Sequence, residues 1–244
     1  MTRWVAGVDA YRAGWIACVL TEDLTSLHFR VILRLEEIVD GPDAPSIVSV
    51  DMPIGLPERI EGSGRACEMA VRPHLGPRQS SVFSTPSRRA VFAGDYAASC
   101  AAALATSMPP RKVSKQCFML FPRIREIDGL LVARPELRAR VFETHPEMSF
   151  LHMNGGRPAS LPKKIRSRAN PDGLQERAQL LLAAGMPQDI VSTMERPPAG
   201  AGGDDVLDAA ACTWTALRIL RGEAVVYPSQ PPRDANGIEI AIRA

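Results

Sequence analysis

Residues 3–20 read RWVAGVDAYRAGWIACVL. An apolar run of small and β-branched residues stops at Asp9, a short polar turn covers Tyr11 to Gly14, and a second apolar run continues from Trp15 to Leu20. Two such runs around a tight turn specify a β-hairpin. A lone carboxylate closing an otherwise apolar strand is badly placed for a group that only needs water. Asp9 is therefore a candidate for an acid held at a sheet edge. Aspartate also starts turns, so this stretch leaves both readings open and the rest of the chain decides between them.

Outward from the hairpin, Leu27–Leu33 reads as a third strand and Leu35–Val39 as a helical turn. IVSVD at 47–51 is a fourth strand that again ends on an acid, Asp51, and MPIGLP after it is loop because Pro53, Gly55 and Pro57 punctuate it. If both strands are central and parallel, both acids emerge at the edge where ligands of open α/β sheets bind. RVFETH at 140–145 alternates as a fifth strand, with Glu143 and His145 on one side, and Pro146 ends it before a helix over Glu147–Met153. Between strands four and five the pattern is helical, over Gly64–Arg72, Asp95–Thr106 and Ser114–Val132, the last interrupted at Pro122. LGPRQSSVFSTPSRR at 75–89 is irregular, and long loops inside compact domains are usually functional. A basic loop at 157–168, a helix over Asp172–Ala184, a Pro- and Gly-rich linker over Arg196–Gly203 and a final helix from Asp204 follow. Val225–Tyr227 and Ile238–Ile242, around an Asn236-Gly237 turn, read as a strand pair at about 224–243 that ends the chain. The expected fold is α/β, one domain over 1–244: a mixed five-stranded sheet with flanking helices and a helical insertion at about 62–136.

With 244 residues, 45% of them apolar and 23% charged, the composition is that of an ordinary globular protein with a full core. No apolar run approaches the roughly 20 residues that span a bilayer, and the start of the chain carries no basic-then-apolar leader. A cytoplasmic location without membrane contact is expected. Five widely spaced cysteines without a C-x-x-C pair argue against a disulfide framework or a zinc ribbon. The formal net charge is only +2, but residues 111–125 and 157–168 hold five cations each and no acid, which leaves the remainder acidic. That division fits a protein that meets phosphates while holding carboxylates elsewhere, and equally two solvated basic loops.

DDVLDAAACTWTALRILRG at 204–222 carries the most specific signal. Asp205 and Asp208 lie about 60° apart on a face that continues through Cys212, Ala216 and Ile219, so it is packed and not solvated. Asp204, after Gly202-Gly203, reads as the N-cap. Carboxylates gathered at one sheet edge repel, and a divalent cation resolves the repulsion. Oxygen ligands without a histidine and cysteine cluster favour Mg²⁺ or Mn²⁺, and such ions can activate water and stabilise a leaving oxygen in phosphodiester cleavage. Asp9, Asp51, Asp205 and Asp208 are the expected ligands. Without metal, the same crowding predicts that Asp208→Asn leaves the protein as stable or more stable. Glu143 and His145 are further catalytic candidates, His145 to orient water or a phosphate. Arg65, Arg78, Arg88, Lys115, Lys163 and Lys164 are candidate phosphate contacts.

An aspartate on the first hairpin strand, an acid on the fourth strand and a D-x-x-D-A helix near the end resemble the ribonuclease H-like superfamily, which includes the Holliday-junction resolvases. The chain more closely resembles the family numbered 429 among the domains of unknown function, described as predicted ribonuclease H-like nucleases. The resemblance is carried by VDAYRAGW (8–15), VDMPIGLP (50–57), GRACE (64–68), LGPRQSSVF (75–83), SKQ (114–116), ETHPEMSF (143–150) and DDVLDAAA (204–211). It implies a ribonuclease H-like fold and a metal-dependent nuclease whose partner is nucleic acid, DNA or RNA, and it leaves a homo-oligomer open. A non-catalytic binding protein of the same fold is the alternative. A phosphotransferase is less favoured, because sugar kinases and actin-like ATPases need two such domains and a second Gly-rich phosphate loop.

Overall fold

The two apolar runs of the opening stretch become β1 (Trp4–Tyr11) and β2 (Gly14–Thr21), paired antiparallel in a continuous register from Trp4↔Thr21 to Tyr11↔Gly14. The structure, a computed structural model, describes residues 2–41, 43–166 and 168–244. Strand β3 (Leu27–Ile32) pairs antiparallel with β2, while β4 (Ile47–Val50) runs parallel to β1 and β5 (Val141–Glu143) parallel to β4. The result is a mixed five-stranded sheet of order β3-β2-β1-β4-β5, in which β2 is the one strand running against the others.

Helices flank it. Between β4 and β5 the chain forms α1 (Ala66–Leu75), α2 (Tyr96–Ala105) and α3 (Lys115–Ala133); after β5 come α4 (Pro146–Met153), α5 (Pro171–Ala183) and α6 (Gly203–Arg221). Side chains alternate across a strand, and the alternation sorts the core into two layers. Ala6, Val8, Val48, Val50 and Val141 pack with Phe121, Ile124 and Ile127 of α3 on one face. Val5, Ile16, Cys18, Leu20 and Ile47 pack with Ala178 and Leu181 of α5 and with Val206, Ala209 and Ala210 of α6 on the other. Each fully buried Val, Ile or Leu in these layers contributes about 1.5–3 kcal/mol.

Gly7 decides how closely α6 approaches. A Cβ there would stand 2.0 Å from the Thr213 nitrogen and 2.2 Å from the Ala209 carbonyl oxygen, so only glycine lets the helix backbone rest on β1. The Thr213 hydroxyl lies 2.9 Å from the carbonyl oxygens of both Cys18 and Ala209 and ties the helix to the hairpin. This contact fixes where the first turns of α6 fall over the sheet.

Three expectations need correction. Helix α1 runs through Pro73 to Leu75, and α3 runs unbroken through Pro122. In each case buried residues flank the proline, Val71 and Leu75 in α1 and Phe121 and Ile124 in α3, and their packing outweighs the hydrogen bond the proline removes. At the end of the chain, Val226–Tyr227 pairs with Ile242–Arg243, so Ile238–Ala241 lies outside that strand pair; Arg243 also bridges to Thr144 and prolongs the main sheet beyond β5. The short parallel pair Ile60–Glu61 and Ser107–Met108 has no sequence signature, because two residues carry no periodicity. All five cysteines are buried and unpaired. Among the described residues no helix is long and apolar enough to cross a membrane.

Candidate active site

The alternation that sorts the core also sorts the acids. Val5, Gly7 and Asp9 point to the α6 face, and so do Ile47, Ser49 and Asp51. Val8 pairs with Val50 across the parallel ladder, and the Asp51 amide donates to the Val8 carbonyl at 2.9 Å. Asp9 and Asp51 therefore stand level on neighbouring strands, which lie about 4.8 Å apart. The approach that Gly7 permits then brings Asp205 and Asp208, from the first two turns of α6, over the same point. All four aspartates line one cavity of about 350 Å³ at the carboxyl ends of β1 and β4.

Their electrostatics follow from burial. Burial, then the charges of Asp51 and Asp208, push the Asp9 carboxyl well above the usual carboxylate range. Burial and then Asp208 push Asp51 up to about 8. Burial also raises Asp208, opposed by Lys163, and raises Asp205, opposed by the hydrogen bond its carboxylate accepts from the Gly202 amide at 2.8 Å. Lys163 pairs with Asp208, and the Lys164 ammonium lies 2.6 Å from Asp204. Burial alone would lower Lys163, but Asp208 and Glu147 hold it above its ordinary range. Among the described residues no cation pairs with Asp9 or Asp51.

The donor chemistry suits a hard divalent ion. Every acid here offers oxygen, and the Asp208 Oδ1 is buried without a hydrogen-bond partner among the described residues. Among those residues, however, no three of the acidic, histidine or cysteine groups stand at the spacing of a formed ion site. A shared ion would require the aspartate side chains to converge further.

Other expected residues fall differently. Glu143 lies two residues along from Val141, on the α3 side of the sheet, and lines the same cavity as Asp9 and Asp51, where its charge helps to raise Asp51. There Arg65 forks onto it at 2.6 and 2.9 Å, and the Ile54 amide donates to it at 2.7 Å. Arg65, only 2% exposed, also bonds Glu68 at 2.7 Å and the Ile54 carbonyl at 2.9 Å. With its donors so committed, Arg65 braces the cavity wall that it lines, and Glu143 is engaged as its partner. Arg88 is clamped to Asp128 at 2.7 Å and Asp234 at 2.9 Å, away from the cavity. Arg78 reaches the Ser160 carbonyl at 3.4 Å, and Lys115 is exposed at the start of α3; neither lines the cavity. Lys163 and Lys164 do line it.

His145 lines the cavity too. Its Nε2 lies 3.3 Å from the Ser81 carbonyl, its Nδ1 has no partner among the described residues, and burial lowers its pKa. Asp204 is not the N-cap: Gly202 holds that position, with Asp205 accepting its amide, which leaves Asp204 free for Lys164. Sequence reasoning missed Glu147, which lines the cavity while the fully buried Arg177 forks onto it at 2.7 and 2.9 Å. The signal is present in ETHPE, where Glu147 stands two residues from His145.

A family model described as "Protein of unknown function (DUF429)" matches residues 7–233. The chain belongs to this family. The DUF429 match extends from before Asp9 to beyond Asp208 and so contains the whole cavity lining except Ile242. No curated protein and no solved structure matches the chain.

Proposed function

We propose that this DUF429 chain is a ribonuclease H-like, metal-dependent nuclease that hydrolyses phosphodiester bonds. One observation carries the reading: aspartates from β1, the end of β4 and α6 converge on a single cavity, and two of them, Asp9 and Asp51, form no direct salt bridge among the described residues. The mixed sheet, with β1, β4 and β5 parallel and β2 against them, supports the ribonuclease H-like assignment. Asp9, Asp51, Asp205 and Asp208 are the residues that would hold Mg²⁺ or Mn²⁺, which when bound balances their charge and assists water attack and departure of the leaving oxygen. Lys163 and Lys164, on the cavity wall, supply donors for the non-bridging oxygens of a phosphodiester. Burial keeps His145 neutral, and its unpartnered Nδ1 is the ring atom able to take up a proton.

A second reading, a nucleic-acid or nucleotide-binding protein of the same fold without catalysis, is favoured by the Lys163–Asp208 pair, in which the chain itself supplies a cation to the acidic cluster. End-labelled single-stranded, duplex, hybrid and junction substrates, incubated with Mg²⁺, Mn²⁺ or EDTA, separate the two. Cleavage that needs metal and disappears in Asp51→Asn supports the nuclease. Binding without cleavage under every metal condition supports the second reading.

A further inference from the structure

A second cavity, about 370 Å³ in volume, lies against the first, and the two share Val82, Phe83 and Thr85 as a common wall. Its chemistry is the reverse of its neighbour's. No acid lines it; serine hydroxyls do, together with the exposed Arg111 and Lys112, neither of which meets a carboxylate among the described residues. Buried in the shared wall, Thr85 is 1% exposed and its hydroxyl has no hydrogen-bond partner among the described residues. On the same wall Phe83 keeps 39% of its surface exposed, although it belongs to neither core layer.

The wall is held in place from behind. Arg72 donates to the Phe83 carbonyl at 3.0 Å and to the Ser84 hydroxyl at 2.9 Å, and Ser84 in turn donates to the Ser63 carbonyl at 2.7 Å. The Thr85 amide is fixed on Glu68 at 3.1 Å, the same carboxylate that Arg65 grips. An exposed aromatic ring on a braced segment, between an acidic cavity and a cationic, hydroxyl-lined one, has the features of a stacking platform along a nucleic-acid strand.

We infer that the second cavity receives the nucleotide adjoining the bond held in the first: its base stacks on Phe83, its phosphate meets Arg111 and Lys112, and Thr85 hydrogen-bonds it. The inference rests on the nuclease reading and narrows it. A base can reach Phe83 only when unstacked from a helix, so the substrate is a single strand or an unpaired segment.

The test is fluorescence anisotropy of a labelled oligothymidylate single strand and of a blunt duplex of equal length, with the full chain in EDTA so that nothing is cleaved. The single strand should bind more tightly than the duplex. Phe83→Ala should weaken single-strand binding about tenfold. Arg111→Ala with Lys112→Ala should weaken it by a similar factor and reduce the salt slope by about one to two. Thr85→Val, which keeps the side-chain shape, should weaken it a few-fold. Phe83, Arg111 and Lys112 are exposed, so these variants keep the fold. Single-strand binding that none of the variants alters, equal affinity for the duplex, or no binding by the wild type would each overturn the inference. If the variants behave as stated but no metal-dependent cleavage is ever found, the nuclease reading fails while the nucleotide site stands.

Discussion

Asp51 is held level with Asp9 by its own backbone, whose amide donates to the Val8 carbonyl at 2.9 Å on the adjoining parallel strand. Both carboxyl groups are pushed up chiefly because α6 buries them, and then by neighbouring acids, Asp51 and Asp208 on Asp9 and Asp208 on Asp51, against the pull of Lys163. The raised Asp51 carboxyl, at about 8, binds its proton more tightly in the folded than in the unfolded chain. Such a group stabilises the fold fully below about pH 4, the unfolded range, and that contribution is lost as pH rises through the folded value. In EDTA the melting temperature should therefore fall by roughly 5 °C or more between about pH 5 and about pH 9. Asp51→Asn should flatten this slope. A wild-type melting temperature that is level or rises across that window would show that the pair is already neutralised.

Asp208 should behave differently from what crowding alone predicts. Its partner is the ammonium of Lys163, so Asp208→Asn strands a largely desolvated cation and does not merely relieve repulsion. The metal-free variant should lose about 1–3 kcal/mol in urea unfolding. Adding Lys163→Met should restore most of the loss, and Asp51→Asn, which removes an acid with no cation paired to it, should cost nothing. An Asp208→Asn protein as stable as wild type would reinstate the repulsion account.

Arg65 gives a test of a different kind. As the buried partner of Glu143 and Glu68 it belongs to the cavity wall, so Arg65→Lys, which cannot reproduce the fork, should cost about 3 kcal/mol. Glu143→Gln should cost nearly as much, and the double variant should lose clearly less than the sum. Were Arg65 a phosphate contact, the substitution would leave urea unfolding unchanged and alter the salt dependence of binding instead.

These cases show which features of the chain were legible before the structure. The hairpin, an acid near the end of each of two strands and the acidic start of α6 were readable because apolar runs and turn residues are local signals, and Asp9, Asp51, Asp205 and Asp208 do share one cavity. The roles of Arg65, Arg88 and Glu143 were not readable. Each depends on a partner far along the chain: Arg65 on Glu143, Arg88 on Asp128 and Asp234. A lone arginine in a sequence looks the same whether it will meet solvent, phosphate or a buried acid. Glu143 does line the cavity with the aspartates, but its engagement by Arg65 was not readable, since strand alternation fixes which residues share a face and not which partner each will meet. Pro73 and Pro122 marked breaks that packing overrides, because the apolar surface on either side is large.

The most direct measurement is a calorimetric titration of Mn²⁺ into the wild-type protein and into Asp51→Asn at neutral pH. The account predicts saturable binding by the wild type, proton release as the raised carboxyls of Asp9 and Asp51 ionise, and binding at least about tenfold weaker in the variant, since the lost carboxylate carried charge that balanced the ion. Wild-type protein that takes up no Mn²⁺, or an Asp51→Asn variant that binds it equally well and with the same proton release, would contradict the assignment of this cavity as a metal-dependent catalytic centre.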